Sequence, residues 1–189
     1  MSLLVDWYAI INSSFDRFTS GTTVKSFPDI TYYTHPEAGY SIASQQGLAE
    51  YVILYSGRIS NIKRYSGVLP YGISFEETNA SIVRRLGEPT SMANPSAKHL
   101  GIEITYQHFG LTIEFVNKNW EDRENRISTL ILFGEDHKDA FNYREVDKFC
   151  SVCHRISYSH CGRCRLINYC SRECQILHWK THKKVCLVV

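Results

Sequence analysis

The chain predicts an α+β domain followed by a small metal-stapled module, and three observations carry that reading. Between residues 30 and 133, apolar and polar residues alternate through several short runs, as strands with one buried face require. One segment, Ser74–Leu86, has the spacing of a capped helix. All seven cysteines fall after residue 147, in a stretch too short to hold itself together with apolar side chains.

Taken in order, residues 2–18 read as an amphipathic helix. Leu3, Leu4, Trp7, Ile10, Ile11 and Phe15 recur at intervals of three and four, with Ser2 placed to cap. After Gly21 come the extended runs Ile30–Thr34, Tyr40–Ala43 and Tyr51–Ser56, separated by the turn residues Pro36, Gly39, Gly47 and Gly57. This spacing predicts an antiparallel meander. Ser74 and Glu77 then have capping-box spacing and open a helix to about Leu86, ended by Gly87 and Pro89. Three more strands are expected at Gly101–Gln107, Leu111–Asn117 and Ile127–Phe133. Helix plus meander therefore occurs twice, which predicts a duplicated unit. The pattern, with Leu-Gly-Glu-Pro at the helix end, resembles the β-lactamase-inhibitor and outer-membrane-assembly-lipoprotein folds, a resemblance that implies nothing firm about function. Residues 134–147 are charged and read as a linker, with one helical turn at Ala140–Arg144. The expected domains are residues 1–143 and 144–189.

The C-terminal ligands follow the spacing C-x2-C-x7-C-x2-C-x5-C-x3-C-x7-H-x3-C: Cys150, Cys153, Cys161, Cys164, Cys170, Cys174, His182 and Cys186. Pairs two residues apart grip a metal from a tight knuckle, and a ligand three or four residues on does so from a helical turn. Eight ligands serve two tetrahedral zinc ions. Structural zinc supplies roughly 10–16 kcal/mol of apparent binding energy, which becomes folding energy. Disulfides are the rival staple, but an odd count of cysteines and none in the first 147 residues suit a secreted framework poorly. Zinc-type cysteine usage places the chain in a reducing compartment, cytosol or nucleus. Spacing alone permits a sequential arrangement, with the first four cysteines on one ion, as well as an interleaved one. His178 shares a helical stripe with Cys174 and His182; it reads as a polar residue facing solvent or a nearby loop, since eight ligands suffice.

The runs Cys-Ser-Val-Cys, Cys-Gly-Arg-Cys, Tyr-Cys-Ser-Arg-Glu-Cys-Gln and His-Trp-Lys-Thr-His-Lys-Lys-Val-Cys resemble a MYND-type zinc finger over residues 150–186. The resemblance implies a cross-brace: Cys150, Cys153, Cys170 and Cys174 on one zinc, Cys161, Cys164, His182 and Cys186 on the other. It also implies binding of short proline-containing peptides, carried by Gln175 and Trp179 on the helix after Cys174. An indole beside an amide offers an apolar shelf with a donor and an acceptor for an extended backbone. The alternative use of Trp179 is to fill the finger's own small core. Some peptide-binding members carry a serine where this chain has Gly162.

Charge divides unevenly. Residues 1–147 hold 13 Lys/Arg against 18 Asp/Glu, and residues 148–189 hold 8 against 1. Seven thiolates and two zinc ions bring the loaded module from a formal +7 to about +4, and no basic helix with base-reading spacing is evident, which argues against nucleic acid as partner. There is no secretory pattern, and no apolar run long enough for a membrane span. Nucleophile elbows, phosphate loops, nucleotide fingerprints and metalloprotease helices are absent, as is any segment resembling a SET methyltransferase core. His35, His99, His108 and His137 are scattered and read as surface or hydrogen-bonded residues. Glu103 and Glu114 lie on adjacent expected strands, where they read as polar-face residues. The sequence thus predicts a non-enzymatic interaction protein with two Zn2+ per chain and proline-bearing protein partners. Its runners-up are a nucleic-acid-associated transcriptional regulator and a small enzyme of unrecognised type.

Overall fold

The computed structural model describes residues 5–58, 61–87, 89–95, 101–134, 148–153, 156–157, 159–165, 167–184 and 186. The chain forms two compact units, residues 1–141 and 142–189.

The first unit is built on an eight-stranded antiparallel sheet. Its strands are β1 (Thr23–Ser26), β2 (Thr31–His35), β3 (Tyr40–Gln45), β4 (Leu48–Tyr55), β5 (Ser91–Ala93), β6 (Glu103–Tyr106), β7 (Leu111–Phe115) and β8 (Ile127–Phe133). They lie in the order β1-β2-β3-β4-β8-β7-β6-β5. Two four-stranded meanders thus meet at β4 and β8, each running inward from a sheet edge to the join, which is the order a duplicated unit gives. Registers show why the alternation was informative. Across the sheet Tyr40, Leu54, Leu130, Ile113 and Ile104 stand opposite one another, as do Ile42, Val52, Leu132, Leu111 and Tyr106. All ten are buried, and burial of each aliphatic side chain stabilises the fold by about 1.5–3 kcal/mol. Ile53, Ile131, Thr112 and Thr105 on the opposite face stay half-exposed.

The segment expected as a helix over residues 2–18 is not one among the described residues. It forms two short 3-10 turns, Tyr8–Ile10 and Asp16–Phe18. Asn12 sits at φ 58°, a left-handed conformation that asparagine tolerates and that ends a helix. The Asn12 N–H donates to the Ala49 carbonyl at 2.7 Å and the Ala49 N–H to that of Ser13 at 3.1 Å. Backbone groups that a helix would use are therefore given to the start of β4. The apolar spacing marked burial correctly all the same: Trp7, Ile10, Ile11 and Phe15 are enclosed.

Helix α1 spans Asn79–Leu86, capped by Thr78, whose hydroxyl accepts from the Ser81 N–H. Only half of the box at Ser74 and Glu77 forms, a turn ahead of the helix: the Ser74 N–H donates to the Glu77 carboxylate at 2.9 Å, while the Ser74 hydroxyl accepts from the Glu76 N–H. Arg85 draws Glu77 into a half-buried ion pair at 2.8 Å. The helix ends where expected, at Gly87 with φ 86°. Strands β1 and β5 were not expected; both are short, exposed throughout and at the sheet edges. The expected turn at Ala140–Arg144 lies outside the described residues.

Glu103 and Glu114 are direct cross-strand partners, and here the expectation of a solvated pair needs correction. Glu114 is buried, accepting from the Gly101 N–H at 3.1 Å and the Thr129 hydroxyl at 2.7 Å. Burial and then the neighbouring Glu114 raise the pKa of Glu103. The Gly101 donor reaches Glu114 because its backbone crosses β7 closely. A Cβ at 101 would lie 1.7 Å from the Phe115 carbonyl oxygen. Gly101→Ala should therefore destabilise the unit by about 2–4 kcal/mol, read as a lower denaturant midpoint at unchanged slope. A loss below about 0.5 kcal/mol would show that the β7 backbone yields freely.

Candidate metal centre

The second unit has little regular structure. Strand β9 (Lys148–Phe149) pairs with β10 (Ile156–Ser157), and β11 (Ser159–His160) with β12 (Asn168–Tyr169). Helix α2 spans Arg172–His182, its N-cap Ser171 accepting from the Cys174 N–H. Two knuckles supply ligands. The first follows β9, tied down where the Ser151 N–H donates to the Asn168 carbonyl at 2.9 Å. The second runs from Cys161 to Arg165, which adopts φ 55° and donates its N–H back to the Cys161 carbonyl at 2.9 Å.

These elements gather the donor atoms into two groups. Cys150, Cys153, Cys170 and Cys174 form one; Cys161, Cys164, His182 and Cys186 form the other; within each, all donors lie within 4.8 Å of one another. The grouping is interleaved along the chain, not sequential. In the first group, Cys153 and Cys170 sulfurs are 3.2 Å apart, Cys170 and Cys174 3.6 Å, and Cys174 and Cys153 3.7 Å. In the second, Cys161 and Cys186 are 3.8 Å apart, and Cys164 Sγ lies 3.5 Å from His182 Nε2. A tetrahedron with Zn–S bonds of about 2.3 Å has edges of about 3.8 Å, slightly shorter where a nitrogen replaces a sulfur. Donor type, number and spacing all fit zinc, and the two clusters can bind two zinc ions.

Electrostatics prepare one thiol in each group. Burial pushes the Cys150 thiol up, but the N–H groups of Cys153, Cys170 and Val152 at its sulfur outweigh that and hold its pKa at about 6. The N–H groups of Cys164 and Arg163 hold Cys161 at about 6 as well. Their neighbours move the other way: burial and the adjacent sulfurs raise Cys170 strongly and push Cys186 up to about 11. Cys150 in one cluster and Cys161 in the other are thus poised as thiolates at neutral pH, the species that takes a metal. Thiols such as Cys170 and Cys186 give up their protons on binding metal.

His178 belongs to neither cluster. Its Nδ1 lies 3.0 Å from the Tyr169 hydroxyl, and its ring stacks on that of His182 at 5.7 Å and 12°. It braces a ligand from behind. Of the scattered histidines, His35 Nδ1 accepts from the Ala38 N–H and His108 packs against Phe109; His99 and His137 lie outside the described residues.

Trp179 and Gln175 meet in one place. With Cys161, Gly162, Arg163 and Ile176 they line an open groove of about 310 Å³. Trp179 leans its edge on His182 at 5.8 Å and 70°, and 36% of its surface remains accessible. Ile176 and Arg163 were not singled out by sequence. For Ile176 a signal existed, since it stands three residues before Trp179 on the same helix face. Nothing in the spacing marked Arg163 as a wall of the groove.

Comparison with known proteins places these residues. Residues 148–186 match the family model described as MYND finger. Over 42 residues the chain is 52% identical to dauer abnormal formation protein 25 of Caenorhabditis elegans, covering 22% of this chain and 11% of that protein. It is 40% identical over 43 residues to the zinc finger MYND domain-containing protein 10 homolog of Drosophila melanogaster, covering 23% and 10%. A rice protein, ubiquitin C-terminal hydrolase 15, is 45% identical over 38 residues, 20% of this chain and 4% of the relative. The chain thus spans a small fraction of these relatives, and the hydrolase similarity covers the finger alone. No solved structure matches. Residues 148–186 are a MYND finger, a protein-interaction module, and no helix among the described residues is long and apolar enough to cross a membrane.

Protein purified without chelator should hold two zinc ions per chain by elemental analysis. Cys150→Ser and Cys170→Ser together should empty one centre, whereas Cys150→Ser with Cys161→Ser should empty both. Wild-type content near one ion, or a loss of both centres from the first pair, would contradict the grouping.

Proposed function

We propose that this chain is a non-enzymatic interaction adaptor of the cytosol or nucleus, whose finger grips short proline-containing segments of partner proteins in the groove beside Trp179. One observation carries the reading. An exposed indole, an apolar Ile176 and the Gln175 amide share the wall of a single open groove on a metal-held helix. An extended proline-bearing segment loses little backbone entropy on docking, and its ring packs flat on an indole. Gln175 offers both a donor and an acceptor to the segment's backbone, which has free N–H and C=O groups in that conformation. The seven free cysteines fit a reducing compartment. A surface this small supports micromolar binding, about 7–8 kcal/mol, after association costs.

The test is an array of ten-residue peptides carrying one or two prolines at every spacing, probed with the zinc-loaded chain. A subset should bind, and Trp179→Ala should abolish all of it while the protein keeps both zinc ions, since Trp179 is not a ligand. Binding that survives Trp179→Ala, or an array that stays blank, would remove the groove from consideration.

Gly162 offers a second check. A Cβ there would meet nothing within 4 Å, so the groove has room for the hydroxyl that similar fingers carry at this place. Gly162→Ser should tighten the best peptides about threefold, the worth of one modest hydrogen bond. A clear loss of affinity would show that the glycine itself is required.

A further inference from the structure

We infer that the groove selects proline-bearing segments with an acidic side chain beside the proline, and that Arg163 reads that charge; this rests on the peptide-groove reading above. Of the six described lining residues, Arg163 alone carries a permanent charge, and none of the six is a carboxylate. Its side chain is exposed, and among the described residues no carboxylate pairs with it. Residues 148–189 contain a single acid, Glu173. That residue sits in the first turn of α2 and is not among the residues that line the groove. Among the described residues the groove of the finger therefore carries a guanidinium that no carboxylate pairs with.

The backbone beneath Arg163 is fixed. Its N–H is aimed at the Cys161 sulfur, and the knuckle closes through the Arg165 N–H on the Cys161 carbonyl. Cys161, Gly162 and Arg163 form one side of the groove, and Gln175, Ile176 and Trp179 of α2 form the other. A segment lying between them sets its proline against the indole and a neighbouring side chain toward the guanidinium. The planar fork of arginine matches a carboxylate in two-pronged fashion, which a lysine or a diffuse basic surface would not do. A carboxylate at this rim is attracted; an ammonium is repelled by Arg163 and by the basic residues of the finger around it.

The experiment prints the same proline array in three versions, with Asp, Asn or Lys flanking each proline, and probes it with the full zinc-loaded chain. Wild-type protein should favour Asp over Lys by roughly five- to tenfold at low salt, with the ratio shrinking as salt rises, as expected of a partly exposed pair. Arg163→Gln should bring the ratio close to one, and Arg163→Glu should invert it. If peptides bind without regard to their flanks, the groove reading stands and the charge inference is overturned. If the Asp preference survives Arg163→Gln, selection belongs to the finger's overall charge, and the assignment to Arg163 is overturned. If no version binds at all, both readings fail together.

Discussion

The second unit depends on one constraint: its core is made of ligands. The buried residues described there are Cys150, Cys161, Cys164, Tyr169, His182 and Cys186, and Tyr169 is the only large side chain among them that does not bind metal. Burying one such side chain stabilises by about 1.5–3 kcal/mol, against roughly 10–16 kcal/mol of apparent binding energy for a structural zinc. The comparison decides what holds the unit. Strands of two residues each cannot supply the difference, so the chain's local shape, including the left-handed Arg165 and the Ser171 cap, serves to deliver eight donor atoms to two points.

Interleaving gives that arrangement a consequence for α2. The helix carries Cys174 in its first turn and His182 in its last, and these belong to different clusters. Two metal sites therefore clamp one helix at positions about 12 Å apart. A sequential arrangement would instead put Cys174 and His182 on the same ion, tying both ends of the helix to a single point. Between the clamps lie Gln175, Ile176 and Trp179, so the residues of the groove stand on the best-fixed part of the unit. His178, which spacing left as a bystander, adds to this by stacking on His182 while Tyr169 holds it by a hydrogen bond.

Legibility followed the physics of each element. Strands with one face in the core were readable, because Ile102–Tyr106 and Leu111–Phe115 must alternate for Ile104, Ile113 and Leu111 to be enclosed. Strands β1 and β5 were not, because an exposed edge imposes no pattern. The N-terminal segment shows the limit of periodicity: Trp7, Ile10, Ile11 and Phe15 had to be buried, but turns pinned to β4 achieve this as well as a helix does. At Ser74 only half of the capping box forms, and the helix starts later, capped by Thr78. Glu114 was misread because the close approach of Gly101, which buries and satisfies it, is a tertiary event. Metal ligands were the most readable of all. Their chemistry fixes residue type and spacing together, whereas their partition between the two ions needed the fold. Arg163 was invisible because a groove wall is defined by what lies across from it.

The groove inherits its shape from the metal site. Cys161 is at once a ligand of the second cluster and part of the groove lining, and the knuckle that positions its sulfur also positions Gly162 and Arg163. The facing wall is held through His182, whose ring touches Trp179. Both walls are thus set by one cluster, and a segment docking between them finds little left to order in the finger. On the proposed reading, that lowers the entropic cost of association and lets a surface with one indole bind measurably. Discrimination among segments that fit the indole would then fall to the rim, to Gln175 for the backbone and Arg163 for charge.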